Sequence, residues 1–273
     1  FHTFARVKSL GGDVESPIRD KSELEIIGCA DAIMVSCTEE QAQFQSLYGS
    51  APGAIEVLAP GVERAFFSPG DRRGARHALG LGTGPMLLFV GRIQPLKGLD
   101  VAVRTLAELG RNDAQLIVVG GASGVEGALE LARVEALIQE LGLVGRVKFY
   151  EPQPHHLLST FYRAADVVLV PSRSESFGLV ALEAAACGIP VVATAVGGLM
   201  NLIEDGKTGF LVPGRDVAGF ARFTRRLLDD SLLAISMGTA AAHRAQSYSW
   251  KSAALKARSV YTELLERDLV ACS

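Results

Sequence analysis

Cysteine and long apolar runs are scarce in this chain, and each scarcity excludes something. The four cysteines, Cys29, Cys37, Cys187 and Cys272, are scattered among apolar or small neighbours and have no metal-ligand spacing. Buried reduced thiols in a cytoplasmic setting are therefore expected, and no metal site. The longest apolar runs, such as Met86-Leu87-Leu88-Phe89-Val90, fall well short of the roughly 20 residues a membrane-spanning helix needs. Nothing resembles a signal peptide. With 27 Lys and Arg against 30 Asp and Glu, the net charge is −3. That balance excludes the basic footprint of nucleic-acid binding and an acidic disordered tail. Repeats and low-complexity tracts are missing too. The chain opens on Phe1, which reads as a fragment or a processed product.

What is present is a core-forming pattern. The chain is 48% apolar and 21% charged, ordinary values for a globular protein. Short apolar strands are expected at 32–36, 55–58, 86–90, 114–119, 147–150, 166–170, 191–195 and 209–212. Amphipathic helices are expected between them, with one over 22–29 and another capped by Thr38. Three more close the chain at 217–228, 232–247 and 250–265. Near-continuous apolar strands alternating with helices specify a parallel sheet covered on both faces. Such a sheet binds ligands at the carboxyl ends of its strands. The glycine-rich and polar loops 91–98, 120–124, 151–154, 171–178 and 196–199 all follow strands.

Those loops carry the chemistry. Pro171 to Gly178 joins the strand Asp166–Val170 to a small-residue helix, which aims free N–H groups and a helix dipole at one point. Arg92 and Lys97 stand five apart between Gly91 and Gly98. Two cations at a helix start can neutralise a diphosphate leaving group, or they are ordinary charges of a solvated loop. Glu175 and Glu183 bracket the helix start. They could be the acid and nucleophile of a hydrolase. Their positions, one in a loop and one inside the helix, instead suit acceptors for sugar hydroxyls and for a ribose diol. Gly120 to Gly124 and Gly197-Gly198 have a steric as well as a ligand-approach explanation. His155-His156 reads as a solvated loop, Arg19 and Glu23 as a surface ion pair, and Trp250 as the dock of a terminal helix.

Ser174-Glu175-Ser176-Phe177-Gly178-Leu179 through Glu183 resembles the E-x7-E signature of the family-4 retaining glycosyltransferases. Gly91 to Gly98, Val119 to Gly124, Tyr162 to Val167 and Ala195 to Leu199 fit the same family, so the resemblance runs over nearly the whole chain. His2 to Lys8 is similar to the branch that uses inositol phosphate. The resemblance implies an α/β fold of GT-B type, with one complete Rossmann-like parallel-sheet domain and the remnant of a second. It implies 1–60 as the carboxyl-terminal remnant of the acceptor-binding domain, 61–235 as the donor-binding domain, and 236–273 as helices crossing back to the first.

Roles follow from the same resemblance. Gly91, Arg92 and Lys97 would hold the donor diphosphate, and Glu175, Ser176, Phe177, Gly178 and Leu179 the donor sugar. Glu183 would hold the ribose. Gln153 stands where the family reads uracil and where relatives often have arginine. Thr3 and Arg19 match acceptor-phosphate positions. Arg92, Lys97 and Glu175 are the residues implied at the chemistry, which is front-face attack with retention and needs no cofactor or metal. The implied partners are a nucleotide diphosphate sugar such as UDP-GlcNAc or UDP-glucose, a small-molecule or glycan acceptor such as inositol phosphate, and a second copy in a homodimer. Most of the acceptor domain is absent, so residues 1–273 are expected to be inactive or nearly so. A GT-B nucleotide-sugar epimerase and a non-catalytic nucleotide-sugar-binding module are the alternatives.

Overall fold

A computed structural model of the chain describes residues 4–10 and 16–266. In order they form α1 (Ala5–Leu10), α2 (Pro17–Cys29), β1 (Ala32–Val35), α3 (Thr38–Tyr48) and β2 (Ala54–Val57). Next come α4 (Arg72–Ala78), β3 (Met86–Val90), a 3-10 turn (Pro95–Lys97), α5 (Leu99–Glu108), β4 (Gln115–Val119), α6 (Gly124–Glu140) and β5 (Val147–Tyr150). The rest is α7 (His155–Ala164), β6 (Val167–Val170), α8 (Leu179–Ala186), β7 (Val191–Thr194), α9 (Gly198–Leu202), β8 (Gly209–Val212), α10 (Val217–Asp229), α11 (Ser231–Ala245) and α12 (Trp250–Leu265). No helix among the described residues is long and apolar enough to cross a membrane.

Six strands form one parallel sheet in the order β5-β4-β3-β6-β7-β8. Its strands are apolar on both sides because both sides are covered. Leu87, Phe89, Val167 and Leu169 point to a layer with Val101, Leu106, Val134 and Phe220. Leu88, Val168 and Val170 point the opposite way, to Phe161, Tyr162, Ala181 and Leu182. This is the period-two alternation of a strand in a two-faced core. The chain builds outward from β3 to β5, then returns to place β6 on the other side of β3. That reversal opens a crevice at the carboxyl ends of β3 and β6.

The first residues form a smaller unit. Strands β1 and β2 pair in parallel, and Phe4, Ile27, Ile33, Val35 and Phe44 make its core. The rings of Phe4, Phe44 and Tyr48 lie 5.4 to 5.6 Å apart. Helix α12 reaches this unit through Lys256 and Glu56, 2.7 Å apart.

Several local expectations need correction. Helix α2 begins earlier than the periodicity predicts, because Ser16 caps it and Pro17 takes the first turn. The cap of α3 is Cys37, whose sulfur accepts from the Glu40 N–H, and not Thr38. Glu40 reaches back to the Ser36 N–H at 2.6 Å. Glu23 is not half of a surface pair: it is 2% exposed. Its carboxylate accepts from the Ala5 N–H at 2.9 Å, the Tyr48 hydroxyl at 2.6 Å and Arg19 Nε at 3.0 Å. His155 and His156 open a helix instead of lying in a loop. Trp250 is the first residue of α12 and is 55% exposed. Cys37 and Cys187 are free and buried, whereas Cys29 is disulfide-bonded, contrary to the expectation of four reduced thiols.

Candidate functional site

Strand β3 ends in Val90, and the backbone then runs on beside the chain that leaves β4, in the same parallel sense. The Gly91 N–H donates to Val119 O at 3.0 Å, and the Ile93 N–H to Gly121 O at 2.9 Å. A Cβ on Gly120 would fall 1.9 Å from Gly91 O. Gly120 is therefore explained by the close approach of two backbones, whereas a Cβ on Gly121 would come no closer than 3.5 Å to its nearest neighbour, the Pro152 side chain. Arg92 is exposed and makes no ion pair among the described residues. Lys97 ends the 3-10 turn, and Gly98, in the left-handed region at φ +74°, starts α5.

The loop after β6 meets this turn. The Arg173 N–H donates to Leu96 O at 2.8 Å. Lys97 Nζ donates to Glu175 Oε2 at 2.7 Å, and the Ser172 hydroxyl donates to the same oxygen at 3.3 Å. Lys97 and Glu175 are 22% and 19% exposed, so each charge is shielded yet reachable. Gly178, at φ +102°, gives α8 no side-chain cap. The first N–H groups of α8 thus lack helix partners beside the ion pair.

Three further contacts shape the loop. Gly198 N–H donates to Glu175 O at 2.9 Å. The Ser36 hydroxyl and the Cys37 thiol donate to Ser176 O at 3.3 and 3.2 Å. The Phe177 ring is buried and lies edge-on to Tyr248, with centroids 5.6 Å apart. Leu179 is exposed at the helix start.

Glu183 is the only charged residue of α8. It lies deeper, between α8 and α7, where the fully buried Tyr162 donates its hydroxyl to Oε2 at 2.8 Å. Burial raises the Glu183 pKa above the usual carboxylate range, while the Tyr162 hydroxyl and the facing His155 pull it down. Burial also holds the Tyr162 phenol well above its ordinary value, so it stays a donor. Gln153 lies in the loop after edge strand β5 and folds its amide onto Glu151 O at 2.8 Å. Arg19 sits on α2 with Glu23, in the smaller unit. Thr3 lies outside the described residues.

The structure thus brings Lys97, Glu175 and the start of α8 together, and places Glu183 against Tyr162 of α7 and Gln153 in the loop after edge strand β5. Sequence reasoning missed Ser172, Tyr162 as the partner of Glu183, and the contacts of Gly197 and Gly198 with the Glu175 loop. A serine three residues before Glu175 was the one local signal available. The pattern of the family described as Glycosyl transferases group 1 matches residues 71–244, which contain all of these positions except Arg19 and Thr3. The chain belongs to that family.

Curated relatives are similar over nearly its full length. D-inositol 3-phosphate glycosyltransferase from Acidothermus cellulolyticus is 45% identical over 97% of this chain and 61% of its own. The protein of the same name from Nocardia farcinica is 46% identical over 91% of this chain and 57% of its own. The chain therefore spans about three fifths of the curated relatives it matches. Among solved structures, sucrose-phosphate synthase from Thermosynechococcus elongatus superposes with a TM-score of 0.87 at 34% identity, covering 97% of this chain and 67% of that one. The carboxyl-terminal domain of the group 1 protein LpcC from Francisella tularensis superposes over 70% of this chain and all of its own, with a TM-score of 0.64 at 25% identity. Anabaena HepE, solved with UDP and glucose, shares the fold at 24% identity, with a TM-score of 0.83 over 93% of this chain and 68% of its own. The α/β architecture with parallel sheets is that of the GT-B glycosyltransferases.

Proposed function

We propose that this chain carries the donor site of a retaining glycosyltransferase that moves a sugar from a nucleoside diphosphate to a hydroxyl acceptor. The observation that carries the reading is the meeting of Lys97 with Glu175 at the β3–β6 crevice, beside the uncapped start of α8. The ammonium and the helix N–H groups suit a diphosphate, and the carboxylate suits sugar hydroxyls. As the bond from the sugar to the diphosphate breaks, Lys97 and Arg92 would offset the charge gathering on the leaving group. The acceptor proton would pass to a leaving phosphate oxygen. Glu183 would accept from the ribose diol with the oxygen that Tyr162 leaves open, and Gln153 would lie at the base.

Residues 61–235 would form the donor-binding unit and 1–60 part of the acceptor side, with 236–273 returning to it. The Lys256–Glu56 contact supports that last step. UDP-GlcNAc or UDP-glucose is the proposed donor. Inositol phosphate is the proposed acceptor, with Thr3 and Arg19 at its phosphate, because the curated relatives are named for it.

Calorimetric titration of UDP tests the site. Lys97→Ala is expected to weaken binding about 30-fold and Glu183→Ala about tenfold, the scale of lost charge-assisted hydrogen bonds. Parental affinity in both variants would place the donor elsewhere.

A pH dependence follows from the position of Glu183. Its carboxylate is the proposed ribose acceptor, so UDP binding is full above its pKa and falls as pH drops through it. Burial raises that pKa, so the fall begins above the usual carboxylate range. Tyr162→Phe removes a hydrogen bond that lowers the pKa, and the midpoint is expected to move to higher pH. A midpoint that stays put, or moves down, separates Glu183 from the binding step.

A further inference from the structure

The crevice has a support behind it that the roles above do not use. Asp100 lies in the first turn of α5, two residues after Gly98. One of its carboxylate oxygens accepts from Nη2 of Arg215, in the loop between β8 and α10. The other faces Nη2 of Arg133, on α6, at 3.3 Å. Arg133 donates from Nε and Nη2 to the two oxygens of Glu130 at 2.8 and 2.7 Å. Asp100 and Arg215 are 15% and 21% exposed and Glu130 3%, while Arg133 is half exposed at the outer end of the group.

Two cations and two anions cancel, so the cluster adds little net field to the crevice. Buried pairs of this kind are also poor sources of stability, since desolvation offsets their attraction. What the cluster adds is position. A Cβ on Gly98 would lie 2.2 Å from Pro171 O and 3.1 Å from Nη2 of Arg215. The Arg215 guanidinium is therefore packed against the turn that carries Lys97, where that turn touches the loop of Glu175. Its Nε is buried with no partner among the described residues, a cost that good local geometry alone does not require.

We infer that Arg215, acting through Asp100, is a positioning residue for Lys97. It pins the first turn of α5, and with it the Pro95–Lys97 turn, so that the ammonium stands at the Glu175 carboxylate. The inference rests on the donor-site reading of Lys97.

UDP titration into the full chain and a double-mutant cycle test it. Arg215→Ala is expected to weaken UDP binding about tenfold, the scale of a lost charged hydrogen bond. Arg215→Lys regains most of the loss, because an ammonium still donates to Asp100. The double variant Arg215→Ala, Lys97→Ala binds like Lys97→Ala alone. A merely structural role would weaken binding by the same factor in the Lys97→Ala background, and that result overturns the inference. Parental affinity of Arg215→Ala overturns it as well. Parental affinity of Lys97→Ala removes the donor-site reading itself and the positioning role with it. If Arg215→Ala does not fold, Asp100→Asn in the same two backgrounds completes the cycle.

Discussion

Gly197→Ala is expected to abolish measurable UDP binding and to lower the unfolding free energy by about 3 kcal/mol, the sum of backbone strain and overpacking. Gly197 has φ +46° and ψ −135°, a region that side chains avoid. A Cβ there would lie 2.0 Å from Glu175 O. That carbonyl is backbone and cannot swing aside, so the loop itself must move. The loop carries the carboxylate that faces Lys97, and Gly198 N–H holds it at the same carbonyl. Displacing the carbonyl thus breaks a hydrogen bond and misplaces the site together. Gly206→Ala separates strain from collision. Gly206 has φ +74°, and a Cβ there meets nothing within 4 Å. That substitution is expected to cost about 1 kcal/mol and to leave UDP binding intact. Urea unfolding and calorimetry of the two variants make the comparison. Equal stability and equal affinity would show that the Glu175 loop tolerates displacement.

Glu23→Ala is expected to destabilise the protein by about 3–5 kcal/mol, as removal of one member of a buried charged network does. Three donors converge on this carboxylate from three places in the chain: the Ala5 N–H, the Tyr48 hydroxyl and Arg19 Nε. Truncation leaves all three without that acceptor. The Tyr48 hydroxyl keeps its proton in the variant, because burial, the largest cause of its raised pKa, does not depend on Glu23. The unit around it has a small core of Phe4, Ile27, Ile33, Val35 and Phe44, which has little apolar burial in reserve. Glu23→Gln keeps an acceptor oxygen and should cost less than half as much. Thermal unfolding checks both variants. A Glu23→Ala protein within 1 kcal/mol of the parent would mean that water replaces the carboxylate in that pocket.

These two sites differ in how far the sequence announces them. The glycine pair at 197–198 is visible as a strand-end loop, but its collision partner, Glu175 O, is 22 residues away and belongs to another loop. Glu23 is the reverse case. Its i, i+4 spacing from Arg19 suggests a solvent-facing pair, and only the packing of α1 and α3 against α2 buries it. Cys37 as the cap of α3 was equally hidden, since thiols rank low among caps and Thr38 beside it ranks high. Tyr162 lay on the apolar face of the amphipathic helix α7, where nothing local marked it as the partner of Glu183.

The sequence by itself determined the alternation of strand and helix, the burial of strands on both faces, and the loops that hold the candidate residues. Those features follow from hydrophobic period and from capping and glycine signals, which act over a few residues. The tertiary structure alone decided which loops meet. Lys97 and Glu175 are 78 residues apart. They face each other because the strand order reverses and seats β6 beside β3, and strand order leaves no local mark on a chain. The same holds for Arg215 and Asp100, 115 residues apart, which come together only when α10 packs on α5.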